Sequence, residues 1–583
     1  MEEKPLSQYL TEFQSIGNAN FPKKIKIALL SSFTTQGLKE TLAVKCAALG
    51  IGAEFYTASY NSYQRELLDA QSGLADFQPN LTFLILDIRS IFKDFFFFPY
   101  RLGEQERKEC CNRAINEIFN LTNVFLKNYS GKLILANLPL PVYSPLGIIE
   151  EKTPFSLKDM AQMFNSGLKK EFLPTERLFI YDFNGFVSYF GGKNIFDYKL
   201  YFLADVQVNF SHLPALAEEL MGFVKAEAGL AKKCLVLDLD NTLWGGIVGE
   251  DSFENIKLGP ESPSNVFWEF QKYILALNQR GIILAVNSKN NPEDALRVIR
   301  EHPYMVLREE HFACLKINWQ DKATNLKEIA NELNIGLDSL VFIDDDPLNR
   351  QLVKERLPEV LVVDLPDDPS YFTQTLKELN EFNVFQITEE DYHRGRMYTQ
   401  DRQRKEFEVK SGDFDEFLAK LNLKVEIKKA DAFTVPRISQ LTLKTNQFNL
   451  TTRRYQEEEI RRFAGLEDYL VFSVKVEDKF GDSGIVGVAI IKKMAEGWLI
   501  DNFLLSCRII GRNIEKAMLY HIIDLVKKDG AQRVVGEYIA TAKNAPCSKM
   551  YEENGFDKAK DGLFVFETNK SFLCPEYIEM IIN

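Results

Sequence analysis

The chain has 583 residues, 45% of them hydrophobic and 26% charged, with a formal net charge of −13. This length exceeds what one hydrophobic core organises, so we expect two to four domains of ordinary globular composition. The negative charge would repel a phosphate backbone, which argues against a nucleic-acid partner.

The start of the chain and its cysteines predict the compartment. The opening MEEKPLSQYL is acidic where a signal peptide carries positive charge, and no apolar run is long enough to cross a bilayer. The eight cysteines follow no metal-ligand spacing, and Cys110 adjoins Cys111, which suits reduced thiols. We therefore expect a cytoplasmic protein without a membrane partner.

The first domain, predicted at 1–229, alternates strand-like and helix-like stretches. The strands are KIKIALL, LTFLILDI, GKLILANL and RLFIYDF, with helices near 38–49 and 107–126. The helix LPALAEELMGFVKAEAG closes the block, and Gly229 marks its end. This rhythm is typical of a parallel α/β domain.

Three further segments follow. Residues 230–372 carry the strands CLVLDL, GIILAVN and SLVFID between helices, which predicts a second α/β domain. Residues 373–420 are charged and helical without a wide apolar face, so we interpret them as a connector. Residues 421–583 show strands such as DYLVFSVKVED and GIVGVAIIKK before a helix, which predicts an antiparallel α+β domain.

Acidic residues follow two strands of the second domain. Asp238 and Asp240 come at the end of CLVLDL, and the run 344–346 ends SLVFID. Ligands of parallel sheets bind beyond the carboxyl ends of the strands, so we expect these acids to lie together. Two carboxylates about 4 Å apart repel by roughly 4 kcal/mol at an effective dielectric near 20. A hard divalent cation removes this repulsion, and a ligand set made only of oxygens suits Mg²⁺.

Phosphate-binding groups are predicted at the same edge. Ser288, Lys289 and Asn290 end the strand between the two acidic ones, where a hydroxyl and backbone N–H groups can hold phosphate oxygens. Lys322 begins a later helix and could neutralise charge on a transferred phosphoryl group. Lys316 and Lys327 are alternative lysines for that role.

The order DxDxT, Ser, Lys and DD resembles the four motifs of the haloacid-dehalogenase superfamily. This resemblance implies a catalytic set of Asp238, Asp240, Ser288 and Lys322, with Asp238 as the nucleophile and Asp240 as the general acid and base. It also implies that Mg²⁺ is held by Asp238, the backbone carbonyl of Asp240, and Asp344 or Asp345. The alternative is that both acidic clusters are solvated turns.

Longer segments, including CLVLDLDNTLWGGIVGEDS, TNQFNLTTRRY, DKFGDSGIVGV and LLSCRIIGR, resemble FkbH-like proteins, subfamily IIIC of that superfamily. The resemblance implies an SGNH-like α/β domain, a Rossmann-like haloacid-dehalogenase domain and a GNAT-like α+β domain. Some members convert 1,3-bisphosphoglycerate into a glyceryl thioester on an acyl carrier protein. An acyl carrier protein is therefore an expected partner.

Acyl transfer needs a thiol, and Cys507 is the candidate acyl-carrying thiol. It lies at a predicted strand end beside Arg508, a setting that favours thiolate. A buried core cysteine is the alternative. In the GNAT resemblance Arg508 and Gly511 fit a coenzyme A loop, but Asn513 replaces a small residue, and Tyr551 stands at the position of a general acid.

The SGNH resemblance is incomplete. Ser31 and Ser32 follow the first strand, where the nucleophile belongs, and Asn137 follows a later one. The expected DxxH is missing, and His212 lies in a loop-like stretch. A binding or scaffolding domain is therefore the interpretation we prefer.

Two polar segments of the last domain stay open. Arg453 and Arg454 could bind a phosphorylated or acidic partner, or could lie on an exposed helix face. The segment around Asp482 predicts a hairpin turn.

The first hypothesis is thus a Mg²⁺-dependent phosphatase or phosphotransferase acting on a small phosphorylated metabolite through an aspartyl phosphate. The alternatives are glyceryl transfer to a carrier protein, a module that binds a carrier protein or pathway partner, and a simple acetyltransferase.

Overall fold

The protein is described by a computed structural model covering residues 4–17, 21, 23–387, 389–411, 413–495, 497–541 and 544–583. It divides into two compact units, Met1–Lys232 with Gln374–Ile387, and Lys233–Thr373 with Thr388–Asn583. Within the described residues, no helix combines the length and the apolar character that crossing a membrane requires.

The first unit contains a parallel sheet. Its strands are β1 (Lys23–Ser31), β2 (Ile51–Thr57), β3 (Leu81–Ile85), β4 (Lys132–Ala136) and β5 (Leu178–Tyr181). Their order is β2-β1-β3-β4-β5, and all neighbours are parallel. Ile27 and Leu29 pack into one core, whereas Ala28 and Leu30 pack into another. Side chains alternate between the two faces of a strand, so this continuous apolar run fills a core on each side.

Helices cover this sheet. They are α1 (Leu6–Ile16), α2 (Leu38–Ala48), α3 (Tyr63–Leu68), α4 (Gly73–Phe77), α5 (Ile88–Phe92), α6 (Asp94–Phe97), α7 (Glu104–Asn128), α8 (Leu157–Phe172), α9 (Phe183–Phe190), α10 (Gly192–Ile195), α11 (Tyr198–Ala204) and α12 (Leu213–Glu227).

The second unit begins with another parallel sheet. Its strands are β6 (Cys234–Leu237), β7 (Ile283–Ser288), β8 (Phe312–Ile317), β9 (Leu340–Ile343) and β10 (Leu361–Val362). The order is β10-β9-β6-β7-β8. Leu237 pairs with Val286 on one side and with Ile343 on the other, so β6 and β9 end at one level and β7 runs on to Ser288. Residues that follow these strands therefore meet at one edge.

The helices around this sheet are α13 (Val248–Asp251), α14 (Asn265–Gln279), α15 (Pro292–Glu301), α16 (Lys322–Glu332) and α17 (Pro347–Arg356), and α18 (Phe372–Lys377) spans the boundary between the two units. With the sheet of the first unit, this sheet confirms the predicted multidomain α/β architecture.

The rest of the second unit is built on an eight-stranded mixed sheet in the order β16-β17-β15-β14-β13-β12-β11-β18. The strands are β11 (Leu423–Lys429), β12 (Tyr469–Asp478), β13 (Gly481–Met494), β14 (Gly497–Leu505), β15 (Arg533–Glu537), β16 (Asp557–Lys558), β17 (Leu563–Glu567) and β18 (Ile578–Ile582). The helices are α20 (Phe414–Lys420), α21 (Val435–Lys444), α22 (Glu457–Ala464), α23 (Ile514–Lys528) and α24 (Met550–Glu553).

A polar helix, α19 (Glu389–Ser411), contacts both β8 and β13. Its Arg404 forms two hydrogen bonds to the buried carboxylate of Asp478, at 2.6 and 2.9 Å, and one to Asp401 at 2.7 Å. Buried ion pairs of this kind hold the helix where the sequence offers no wide apolar face.

Candidate active site

Three carboxylates converge at the carboxyl edge of the second parallel sheet. Asp238 follows β6, and Asp344 and Asp345 follow the neighbouring strand β9. One oxygen from each side chain lies within 4.8 Å of the others. The backbone N–H of Asp238 donates to the carbonyl of Ile343 at 2.9 Å, which fixes the two strand ends side by side. The structure therefore brings these predicted acids together.

Lys322 occupies the centre of this cluster. It is the first residue of α16, and its residue is only 1% exposed. The ammonium lies 2.8 Å from Asp238 Oδ1 and 3.0 Å from Asp344 Oδ2, and donates to the carbonyl of Asn287 at 2.7 Å. Burial lowers the pKa of Lys322, but Asp238 and Asp344 raise it, and the pKa ends above its ordinary value. The side chain is thus held as a cation.

The donor set of the cluster fits a hard divalent cation. Asp238 Oδ1 and Asp344 Oδ2 are buried, and neither accepts a hydrogen bond of regular geometry from a described group, although both contact the Lys322 ammonium as an ion pair. Three ionised carboxylates against one ammonium leave two negative charges. All ligand atoms are oxygens, the set that Mg²⁺ prefers.

The pKa values of two of the acids are raised. Burial, and then the charge of Asp238, raises the pKa of Asp344 to about 6, although Lys322 opposes the shift. Burial and Asp238 likewise raise the pKa of Asp345 to about 6, and Thr242 Oγ1 donates to Asp345 Oδ1 at 3.2 Å. Uncompensated negative charge in a buried cluster makes ionisation costly.

Asp240 lies beside the cluster, and both oxygens of its carboxylate accept hydrogen bonds. Oδ1 accepts hydrogen bonds from Trp244 Nε1 at 2.8 Å and from the Val248 backbone at 3.2 Å. Oδ2 accepts from Asn290 Nδ2 at 2.8 Å. Burial raises the pKa of Asp240, and these hydrogen bonds only partly oppose the shift. The group is oriented and is more readily protonated than a solvated aspartate.

The end of β7 supplies the predicted phosphate-binding residues. Ser288 and Asn290 are buried, and Asn290 Nδ2 lies 3.4 Å from Ser288 Oγ. Lys289 is exposed at the rim, where its ammonium donates to Asn349 Oδ1 at 3.2 Å. Asn290 thus joins Ser288 to Asp240, and Lys289 reaches Asn349 of α17, whose amide donates to Asp344 Oδ1 at 3.4 Å.

Two residues that the sequence left as alternatives, Asp346 and Lys316, have partners outside the cluster. Asp346 is the N-cap of α17 and accepts from the Leu348 backbone at 2.9 Å, so it does not join the cluster. Lys316 pairs with Glu328 and Glu332 at 3.0 and 3.1 Å instead of with the site.

Sequence reasoning missed several groups that support the site. Thr242 is the threonine of DxDxT, so the motif itself could have indicated it. Trp244 and Asn287, both fully buried, carry no such signal. Arg350 donates to the carbonyls of Asp344 and Asp345 at 2.9 and 2.6 Å and fixes the loop after β9.

The candidate thiol, Cys507, follows a strand of the eight-stranded sheet, whereas the acidic cluster follows strands of the second parallel sheet. Cys507 begins a 3-10 turn, Cys507–Ile509, directly after β14. Its side chain lies outside the described residues, so its role stays a prediction. Arg508 Nε donates to Ser506 Oγ at 3.3 Å, and Asn513 is left-handed at φ 58°.

The serine hydroxyls of the first unit are engaged with the backbone. Ser31 Oγ donates to the carbonyl of Ile85 at 2.9 Å, and Ser32 Oγ accepts from the Asp87 backbone at 2.8 Å. Asn137 Nδ2 donates to Asp182 at 2.7 Å. His212 Nδ1 lies 2.9 Å from Ser211 Oγ. These bonds favour a structural role for the two serines.

The polar segments of the last domain are also engaged. Arg453 pairs with Asp501 and Glu537, both at 2.8 Å, and Arg454 Nη2 donates to Asn446 at 2.9 Å. Both arginines lie between α21 and α22, so the alternative of an exposed helix face is wrong.

Asp482 and Tyr551 also belong to the last domain. Asp482 is the second residue of β13, the second strand of the predicted hairpin, and pairs with Lys475 at 2.8 Å. The phenol oxygen of Tyr551 is buried and finds no hydrogen-bond partner among the described groups.

Comparisons with known proteins agree with this site. Residues 26–225 match the family model described as FkbH, N-terminal domain. The chain is similar to a crystal structure of the N-terminal part of protein BF1531 from Bacteroides fragilis, which contains a phosphatase domain complexed with Mg. The identity is 29%, the match covers 66% of this chain and 100% of that one, and the TM-score is 0.60.

Other matches are weaker. The ribosomal-protein-S18-alanine N-acetyltransferase from Escherichia coli covers 25% of this chain and 96% of its own at 17% identity, with a TM-score of 0.20 that supports no conclusion. No curated protein matches the sequence. The resemblance to FkbH-like phosphatases is thus supported, and the SGNH-like and GNAT-like assignments stay predictions.

The raised pKa values predict a pH dependence of stability. Asp344 and Asp345 have pKa values of about 6 when folded against 3.8 ordinarily, so the folded state binds protons more tightly than the unfolded state. This stabilisation is present below about pH 4 and is lost as pH rises through about 6. In EDTA, we expect the free energy of unfolding of wild type to fall more steeply between about pH 5 and about pH 7 than that of Asp345→Asn. Urea denaturation at both pH values measures this, and equal slopes would contradict it.

The cluster also predicts stabilisation by Mg²⁺. A ligand that binds only the folded state at about 100 times its Kd stabilises by about 2.7 kcal/mol, so Mg²⁺ should raise the Tm of wild type. Asp344→Asn should abolish the shift, because it removes a fully buried carboxylate of the cluster. Asp346→Ala is the matched control, since that residue caps a helix outside the cluster, and it should keep the shift. A shift of equal size in Asp344→Asn would rule out the cluster as the site.

Proposed function

We propose that the protein is a Mg²⁺-dependent phosphatase or phosphotransferase that acts on a small phosphorylated metabolite through an aspartyl phosphate on Asp238. One observation carries the proposal: carboxylates from two adjacent parallel strands meet within 4.8 Å around a buried lysine. The similarity to a phosphatase domain crystallised with Mg supports it.

The residues divide between binding and chemistry. Asp238, Asp344, Asp345 and the backbone carbonyl of Asp240 would hold Mg²⁺, which when bound supplies positive charge to the phosphoryl oxygens. Ser288 and Lys322 bind the remaining phosphoryl oxygens. The Lys322 ammonium is already desolvated, so it stabilises charge in the transition state without reorganising.

The reaction then has two steps. A carboxylate oxygen of Asp238 bonds to phosphorus as the bond to the alcohol oxygen breaks, and the protonated carboxyl of Asp240 gives its proton to the leaving alcohol. A water molecule next attacks the aspartyl phosphate. Asp240 takes the proton of that water, inorganic phosphate leaves, and the Asp238 carboxylate is restored.

Two substitutions test the chemistry. Asp238→Asn keeps the shape but removes the nucleophile, so phosphate release should fall at least ~10³-fold. Asp240→Asn should lower turnover of alkyl phosphates by ~10²-fold or more but that of p-nitrophenyl phosphate much less, because nitrophenolate leaves without protonation. A discontinuous phosphate assay with Mg²⁺ measures both. Turnover retained by Asp238→Asn would refute the assignment.

The family match over residues 26–225 favours a second candidate, glyceryl transfer from 1,3-bisphosphoglycerate to an acyl carrier protein. The acyl phosphate would pass its glyceryl group to the Cys507 thiolate, forming a thioester and releasing phosphate. The phosphate at the other end of the glyceryl group would be hydrolysed at Asp238. The carrier protein would then accept the acyl group on its own thiol.

Mass spectrometry tests this candidate. After incubation with 1,3-bisphosphoglycerate, the protein should gain a glyceryl adduct that maps to Cys507 and is absent from Cys507→Ser. Cys547→Ser is the matched control, because that thiol is buried, and it should keep the adduct. An adduct that persists in Cys507→Ser would exclude this thiol.

A further inference from the structure

Two exposed apolar side chains lie on the Asp240 side of the candidate site. Trp319 is 71% exposed and follows β8, and Ile247 is 38% exposed and lies in the loop after β6. Single exposed apolar residues are common on protein surfaces. The case for a binding role therefore depends on where these two residues lie relative to Asp240, and not on their exposure alone.

Ile247 is one residue from a direct contact to Asp240. The backbone N–H of Val248 donates to Asp240 Oδ1 at 3.2 Å, and the N–H of Ile247 donates to Asp251 Oδ2 at 2.9 Å. Gly246 takes a left-handed φ of 98°, which turns the chain back at this point. The exposed Ile247 thus belongs to the loop segment whose backbone contacts the proposed proton donor.

Trp319 reaches the same network from the other side. Its indole Nε1 donates to Asn291 Oδ1 at 3.3 Å. Asn291 directly follows Asn290, whose amide donates to Asp240 Oδ2 at 2.8 Å. The indole is therefore anchored to the loop that orients Asp240.

The loop that carries Trp319 is fixed. The backbone of Asn318 donates to the carbonyl of Ser288 at 3.1 Å, and the Asn318 side chain accepts from the Gln320 backbone at 2.9 Å and from Asn325 at 3.0 Å. An exposed indole on a well-bonded loop needs no rearrangement to receive a ligand.

We propose that Ile247 and Trp319 form an apolar rim that binds the alcohol part of the substrate. The substrate would then be a phosphate monoester whose alcohol carries an apolar chain or face. This inference rests on the proposed function, in which Asp240 protonates the leaving alcohol, so that the alcohol departs on this side. Trp319 follows a strand two positions from β6, so it lies roughly 10 Å across the sheet edge, within reach of an extended alcohol.

The test compares two alkyl esters with similar leaving groups, hexyl phosphate and glycerol 1-phosphate. With Mg²⁺, kcat/KM should favour hexyl phosphate roughly tenfold or more, the size of effect that apolar contacts supply. Trp319→Ala should remove that preference and change turnover of glycerol 1-phosphate less than about twofold. Trp319→Phe should retain most of it. A preference for glycerol 1-phosphate, or an equal effect of Trp319→Ala on both esters, would overturn the proposal.

Leu348→Ala is the matched control. Leu348 is 78% exposed at the same sheet edge but follows β9, on the opposite side of β6. Its replacement should leave the preference for hexyl phosphate unchanged. Loss of the preference in this variant would mean that apolar exposure around the whole edge, and not this rim, binds the alcohol.

Hexylphosphonate, which is not hydrolysed, separates the rim from the chemistry. Its binding should change the tryptophan emission of wild type and of Asp238→Asn much more than that of Trp319→Phe, which keeps Trp268, Trp498 and the Trp244 beside Asp240. If no ester is turned over, the proposed function fails, and an emission change that depends on Trp319 would still support the rim. If the emission is unchanged in wild type, or changes equally in Trp319→Phe, the rim proposal fails even where esters are hydrolysed.

Discussion

The contact of one buried ammonium with two carboxylates is the interaction on which the candidate site depends. Lys322 lies 2.8 Å from Asp238 and 3.0 Å from Asp344, and burying such charges unpaired would cost several kcal/mol each. One cation cannot balance the three acids that meet there. The excess negative charge can be relieved by partial protonation of the acids or by a divalent ion. Because the acids are buried close together, the pKa values of Asp344 and Asp345 are raised.

The polypeptide around the cluster separates two tasks. On the β9 side, Arg350 donates to two backbone carbonyls and Thr242 donates to Asp345, so the acids face one another. On the β7 side, Trp244 and Asn290 hold both oxygens of Asp240. Asp238, the proposed nucleophile, thus lies between a charged side that suits metal and phosphate and a side that carries Asp240, the proposed proton donor, and the proposed apolar rim.

The structure also changes the interpretation of residues outside this edge. The Ser31 hydroxyl donates to the last residue of β3 and the Ser32 hydroxyl accepts from the segment after it, so both hold the end of β1 in place. The polar helix α19, interpreted from sequence as a connector, packs against two sheets through the Arg404–Asp478 pair. The helix has no wide apolar face, and buried ion pairs hold it in place instead.

The sequence by itself determined the parallel strands and the convergence of the acids, because apolar runs such as CLVLDL specify buried strands and parallel strands end at one edge. It could not choose Lys322 over Lys316, or decide between Asp345 and Asp346, since residues so close in the chain are all candidates until the direction of each side chain is known. Only the tertiary structure decided these points, and it alone placed Trp244, Asn287 and Trp319 around the site. The contacts of Asn287 and Trp319 join residues that are distant in the chain, and that of Trp244 to Asp240 depends on how one irregular loop folds, so none leaves a periodic signal in a single sequence.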